Sequence, residues 1–310
     1  MKTSNLLTAL TLALAATSAA QAAAPKAAKP AAEVLKDSPA SDWRALDPDN
    51  TLLMDLNAGQ VIIELAPRFA PAHVANIRAL ARGGYWDGLA ILRVQDNFVT
   101  QWGDPDGEDA AKARPLPAGA SAKLPAEFSV PIERIGKQAG FTRLADLDSW
   151  ASRTGFAEGF PVAADPITGR AWLAHCYGMV GAGRSDAVDS SNGTELYVVI
   201  GHAPRGLDLN ITVVGRVIKG VELLAALPRG TAAMGFYDKP EQRTFIQRVR
   251  LLADVAVAER PALQVLKTES KTWQQLLDSR RYRGGWYVHN PGRVDLCGAT
   301  VPTRPIPPSP

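Results

Sequence analysis

Two cysteines, Cys176 and Cys297, and four histidines, His73, His175, His202 and His289, are the side chains in this sequence whose types suit metal ligation or thiol chemistry. No histidine lies at a spacing typical of zinc ligands with the cysteines, so no metal centre is expected. The cysteines pair in an oxidising compartment if the fold brings their α-carbons within about 7 Å. Spacing leaves that open beside the alternative of a small buried hydrophobe at 176 and a lone thiol at 297. Gly181-Ala182-Gly183 lacks the third glycine and the acidic partner of a dinucleotide loop, and no cofactor is expected. Formal charge is +3 over the chain, too little to point to nucleic acid or an acidic lipid surface. The substrate has to be read from a site.

The elements that must position such a site are mostly short β-rich runs: Thr51 to Leu56, Gln60 to Leu65, Ala90 to Val94, Phe98 to Gln101, Gly178 to Gly181, Glu195 to Gly201, Thr212 to Val217 and Thr244 to Asp254. Asn57-Ala58-Gly59 makes the first two an antiparallel hairpin. Pro71 to Ala81 reads as a helix with proline at its start and Val74, Ile77 and Leu80 on one face. Val221 to Leu227 is a shorter helix stopped by Pro228. Eight strands and two amphipathic helices predict a mainly β fold, a closed eight-stranded antiparallel barrel capped by the helices.

Four segments flank or interrupt this body. Lys2, the apolar run Leu6 to Ala16 and Ala20-Gln21-Ala22 have the order of a secretory signal, assigned to 1–24. The run is too short to span a bilayer, so a periplasmic protein with no membrane attachment after cleavage is expected. Residues 25–48, rich in Ala, Pro and Lys, are expected to form a flexible leader. Within the domain over 49–255, an insertion at about 129–171 carries Phe141, Trp150, Phe156 and Phe160, too many large apolar side chains for a solvated loop. A C-terminal extension follows over 256–310, with a helix from Ser270 to Arg281 and a disordered end from Pro302 to Pro310.

A series of blocks in order carries a resemblance. Gly59 to Leu65, Ala70 to Asn76 and Gly84 to Gly88 precede Ala90-Ile91-Leu92-Arg93-Val94 and Asn97-Phe98-Val99-Thr100-Gln101-Trp102-Gly103. Gly178 to Gly183, Ser191 to Val198 and Leu207-Asp208 through Val217 complete the series. From about Thr51 to Asp254 the chain resembles the cyclophilin peptidyl-prolyl cis/trans isomerases. The resemblance implies that Arg93 is the catalytic arginine and that Gln101 hydrogen-bonds both arginine and substrate backbone. It implies a proline pocket floored by Phe98 and lined by Val99, Tyr197 and Leu207, with Gly183, Arg184, Glu195 and Ile211 completing the substrate-binding set. Arg93 suits the role because its planar fork holds a carbonyl and a neighbouring side chain at once. A strand arginine in a structural ion pair and plain barrel core are the competing readings of these positions.

Several residues depart from the family pattern. Glu195 stands where glutamine is common, and a carboxylate against Arg93 is expected to damp turnover, so that Glu195→Gln raises kcat/KM; the alternative is that the same pair holds the arginine in place, in which case the substitution lowers it. Gly183-Arg184 replaces Ala-Asn, and Gly206 stands at a position that is frequently aromatic, which reads as a less aromatic rim. The implied function is isomerisation of X-Pro bonds in unfolded or partly folded exported proteins. The alternative is a catalytically weak or inactive peptide-binding module on the same barrel.

Overall fold

The computed structural model describes residues 27–136 and 140–307; the expected signal segment lies outside them. Helix α1 (Ala31–Lys36) and strand β1 (Trp43–Ala45) precede the hairpin β2 (Thr51–Leu56) and β3 (Gly59–Leu65). Helix α2 (Pro71–Arg82), β4 (Ala90–Val94) and β5 (Val99–Gly103) follow. The insertion then contributes β6 (Val130–Pro131), β7 (Thr142–Leu144), β8 (Arg153–Ala157), β9 (Phe160–Asp165) and β10 (Arg170–Leu173). The main body resumes with β11 (Met179–Ala182), β12 (Leu196–Val199), β13 (Val213–Lys219), helix α3 (Val221–Ala225) and β14 (Ile246–Leu251). The extension adds β15 (Leu263–Leu266), helix α4 (Lys271–Arg281) and β16 (Thr303–Pro305).

Eight strands form one antiparallel sheet in the order β14-β2-β3-β13-β11-β12-β5-β4. Its two outer strands nearly close on each other: Ile246 N–H donates to Leu89 O at 2.8 Å, and Gly88 and Ile91 N–H donate to Ile246 O and Thr244 O at 2.9 Å. Closure satisfies the edge groups an open sheet would expose. The predicted barrel is therefore the observed architecture. Alternate residues Leu52, Met54, Val61, Ile63, Ile91, Trp102, Leu196 and Val198 fill its interior, joined by Val74, Ile77 and Leu80 of α2 and Leu224 of α3.

A second core lies outside the barrel and explains why β2 and β3 are apolar on both faces. Leu53 and Ile62 point away from the interior and pack with Phe156 and Phe160 of the insertion and Trp273, Leu276 and Leu277 of the extension. Phe156 meets the Trp273 ring edge-on at 4.9 Å. The insertion forms a five-stranded sheet, β6-β10-β9-β8-β7, and β1, β15 and β16 form a third. A buried Glu64 carboxylate binds these layers: Arg216 donates to it at 2.9 Å and Arg44 at 2.5 Å, while Arg44 also donates to Glu158 O at 3.0 Å.

Two expectations are corrected here. From Ala31 onward the segment read as a flexible leader is ordered, with Val34, Trp43 and Leu46 buried in the second core. Arg44 and Ala45 pair with Val265 and Gln264 of the extension. The end read as disordered forms β16, whose Thr303 and Arg304 pair with Val265 and Gln264, and the Arg304 guanidinium lies 4.0 Å above the Trp43 ring. Local composition misses both because the partners lie far off in sequence, as with Trp43, which pairs with Leu266 and stacks under Arg304.

Cys176 and Cys297 are bonded, with α-carbons 4.8 Å apart at a sequence separation of 121, which settles the pairing left open by spacing. The bond ties the extension to the segment leading into β11. Thiol counting in denaturant without reductant is expected to find none. Cys297→Ser is expected to lower unfolding free energy by about 2–4 kcal/mol, read by urea denaturation. Two titratable thiols in the freshly purified chain would remove the bond.

Candidate active site

The register of the β4–β5 hairpin contains one irregularity, and it aims the site. Ala90 and Ile91 face Gly103 and Trp102, but the next pair is Arg93 with Gln101, leaving Leu92 as the extra residue of a bulge. Without the bulge, strict alternation would turn Arg93, two residues after inward-facing Ile91, toward the packed interior; the bulge presents it on the outer face beside Gln101. In β12 Tyr197 stands opposite Gln101 and Val199 opposite Val99, so these side chains share that face while Leu196 and Val198 point inward. Close approach of Tyr197 requires Gly181, since a Cβ there would lie 2.2 Å from the tyrosine ring.

A cavity of about 120 Å³ opens on this face, lined by Arg93, Phe98, Val99, Gln101, Gly183, Arg184, Tyr197, Leu207 and Ile211. Nine of the ten residues expected from the sequence are thereby brought together. The tenth, Glu195, touches Gln101. Val99, Tyr197 and Val199, with Phe98 and Ile211 against them, form a small apolar cluster separate from the barrel interior.

The Arg93 guanidinium is held from several sides. Its Nε donates to Met234 O at 2.7 Å, Nη1 to Gln101 Oε1 at 3.0 Å, and Nη2 to Gln95 Oε1. Phe98 and Phe236 lie below and beside it, with ring centres 5.5 and 5.4 Å from Cζ. Burial lowers its pKa from the ordinary arginine value, opposed by the charge of Glu195. Gln95, Met234 and Phe236 were not expected. Met234 and Phe236 come from the loop before β14, which no motif marks.

Behind the pocket lies a polar network that the sequence reading did not anticipate. His175 Nδ1 lies 2.9 Å from Asp208 Oδ1, and its Nε2 lies 2.9 Å from the Tyr197 hydroxyl. Asp208 also accepts from His175 N–H at 2.9 Å, Trp172 Nε1 at 3.1 Å and Arg205 Nε at 2.6 Å. Arg205 completes a two-pronged pair with Asp148 of the insertion, at 2.9 and 3.2 Å. Burial pushes the Asp208 carboxyl up, but the His175 hydrogen bond and the Arg205 charge outweigh it and hold the group below the usual carboxylate range. Burial, reinforced by the Asp208 charge, pushes the Tyr197 hydroxyl far above its ordinary pKa, so it remains protonated.

Three expectations change in detail. The Glu195 carboxylate does not pair with Arg93; Gln101 stands between them, accepting from Arg93 and donating through Nε2 to Glu195 Oε1. The Glu195 side chain lies against Gly103 and Gly183, where an added Cβ would come within 3.1 Å of its Cγ and 3.3 Å of its Oε2. Its role is thus to orient the Gln101 amide. Arg184 lines the cavity, but its guanidinium donates to Asn210 O and Ser185 O at 2.8 Å and to Asp186 O at 3.1 Å, bracing the rim loops. The rim is not bare at Gly206 either: a Cβ there would lie 3.9 Å from Cη2 of Trp150, which the insertion brings to this point.

Burial raises the Glu195 pKa, with the Gln101 hydrogen bond acting against it. A carboxyl whose folded pKa is raised stabilises below its unfolded pKa, and that contribution is lost as pH rises through the folded value. At neutral pH the ionised group is therefore a cost that a neutral amide, accepting the same hydrogen bond, avoids. Glu195→Gln is expected to raise Tm by about 2–4 °C at pH 7–8, with the gain shrinking toward pH 4. A lower Tm for the variant at neutral pH, measured by circular dichroism, would show the carboxylate to be net stabilising.

The profile described as Cyclophilin type peptidyl-prolyl cis-trans isomerase/CLD matches residues 51–251. The "Probable peptidyl-prolyl cis-trans isomerase" of Brucella suis is 29% identical over 189 residues, covering 61% of this chain and 76% of its own length. The "Peptidyl-prolyl cis-trans isomerase-like 2" of Gibberella zeae is 46% identical over 54 residues, 17% of this chain and 9% of that protein. Among solved structures, the cyclophilin AquaCyp293 from Hirschia baltica superposes with a TM-score of 0.68 at 26% identity, covering 84% of this chain and 92% of that one. That coverage extends beyond the span of the profile. With an outward-aimed arginine and glutamine over an apolar pocket on an eight-stranded barrel, and a profile match over most of the chain, this protein belongs to the cyclophilin-type peptidyl-prolyl cis-trans isomerase family.

Proposed function

We propose that the chain is a periplasmic peptidyl-prolyl isomerase acting on X-Pro bonds of exported proteins. The observation that carries the reading is the Arg93 guanidinium at the mouth of the apolar pocket. Three of its five N–H groups are engaged by Met234, Gln101 and Gln95, which leaves one on each Nη for substrate. Rotation about an X-Pro bond is slow because amide resonance sets a barrier of about 18–20 kcal/mol. No nucleophile is required. Phe98, Val99, Leu207, Ile211 and the Tyr197 ring hold the proline, Gln101 binds adjacent backbone, and Arg93 donates to the prolyl carbonyl or to the imide nitrogen as it loses conjugation. Donors fixed before the bond twists stabilise the twisted form without reorganising, and each 1.36 kcal/mol gives about tenfold in rate.

The signal-like pattern before Ala24 and the Cys176–Cys297 bond both support export to an oxidising compartment. Isomerisation is tested by NMR exchange on an Ala-Pro peptide, where catalytic amounts of protein are expected to bring cis and trans signals into exchange. Binding without exchange would favour the second reading, a peptide-binding module, which gains support from the internal engagement of Arg93. Compartment is tested by fractionation and intact mass, with a chain lacking its first 22 to 24 residues expected in the periplasmic fraction.

A further inference from the structure

Trp150 belongs to the insertion, yet it stands at the rim of the proline pocket. It is 57% exposed, an unfavourable position for an indole unless something holds it or covers it. The backbone that carries it is held at a defined point. Trp150 N–H donates to Asp148 Oδ1 at 2.9 Å, and the Asp148 side chain, 6% exposed, is clamped by both Nη atoms of buried Arg205. Arg205 and Asp208 flank Leu207, the residue of this loop that lines the pocket, and Cη2 of the indole reaches 3.9 Å from the Cβ direction of Gly206 between them. Glycine at 206 leaves this space free.

We infer that Trp150 is a specificity-determining residue, its ring extending the proline pocket into an apolar shelf for a large side chain flanking the proline. The inference rests on the isomerase reading and names its substrate class: X-Pro segments bearing an aromatic neighbour. The ion pair removes from binding the entropy of ordering the insertion loop, since the backbone that carries the indole is already held at the rim. An aromatic contact of this kind is worth about three- to tenfold in affinity.

Three peptides, Phe-Pro-Ala, Ala-Pro-Phe and Ala-Pro-Ala, each blocked at both ends, are compared in exchange kinetics. The wild type is expected to show a KM about three- to tenfold lower for one or both phenylalanine peptides at similar kcat. Trp150→Ala should abolish that difference, and Trp150→Phe should retain it. A preference unchanged in Trp150→Ala, or absent in the wild type, overturns the inference while leaving isomerisation intact. Iodide quenching gives a readout independent of turnover, taken with Trp286→Phe because Trp286 is the other strongly exposed tryptophan. The phenylalanine peptide is expected to shield Trp150 from iodide, and failure to shield it overturns the shelf. Shielding without isomerisation would keep the shelf and remove the isomerase reading.

Discussion

Arg93→Ala is expected to lower kcat/KM on an Ala-Pro peptide by one to three orders of magnitude, about 1.4–4 kcal/mol of barrier. Most of the loss should fall on kcat. The apolar pocket remains to bind proline, whereas the donors that act on the twisting bond are gone. Arg93→Lys is expected to recover little, because an ammonium cannot bond Gln101 and Met234 and still offer a planar pair of donors to the substrate. Folding should survive: the residue is half-buried and makes no ion pair among the described residues, so the cost is on the order of 1–2 kcal/mol from lost hydrogen bonds. Unchanged turnover in a folded Arg93→Ala variant would take the guanidinium out of the reaction.

Asp208→Ala is expected to cost about 3–5 kcal/mol of stability and to lower Tm by roughly 10 °C. Four donors lose their acceptor at once: Trp172 Nε1, His175 N–H, His175 Nδ1 and Arg205 Nε, all buried. The sign of the pH dependence follows from the depressed pKa of Asp208. A carboxyl with a lowered folded pKa contributes stability that is complete above its unfolded value, about 4, and is lost as pH falls through the folded value. The wild type should therefore lose stability below about pH 4, and the Asp208→Ala variant should show a smaller acid-dependent loss over that range. Chemical denaturation from pH 2.5 to 7 checks both. An equal stability loss at every pH would mean that the network acts by packing rather than through its charge. Because His175 bears on the Tyr197 hydroxyl, the folded variant should also bind proline peptides more weakly.

Much of the fold was readable before any coordinate. Alternating apolar runs, a turn at Asn57 to Gly59 and proline-marked helices are local signals, and a chain of eight such strands resolves its edges by closing on itself. The pocket residues were readable for a different reason: Arg93, Phe98, Val99 and Gln101 fall in one contiguous block that resembles the cyclophilin signature, whereas the bulge at Leu92 that aims Arg93 outward was not readable. What lies outside local reach was misread. Composition assigned residues 25–48 to a flexible leader and Pro302 to Pro310 to disorder, although Trp43–Ala45 and Thr303–Pro305 complete one sheet with β15.

The same division runs through the site. Sequence alone determined the barrel, through short-range alternation and turns, and its ordered resemblance to the cyclophilins singled out the arginine, the glutamine and the apolar pocket. Only the tertiary structure decided that Glu195 reaches Arg93 through Gln101, that His175, Asp208 and Arg205 brace the pocket wall, and that Trp150 fills the space beside Gly206. Each of those arrangements depends on at least one contact between groups far apart in the chain, such as Asp148 and Arg205, 57 residues apart and joined at 2.9 Å. Buried charges must find partners wherever the packing of separate layers places them, and that packing is a property of the whole chain rather than of any segment.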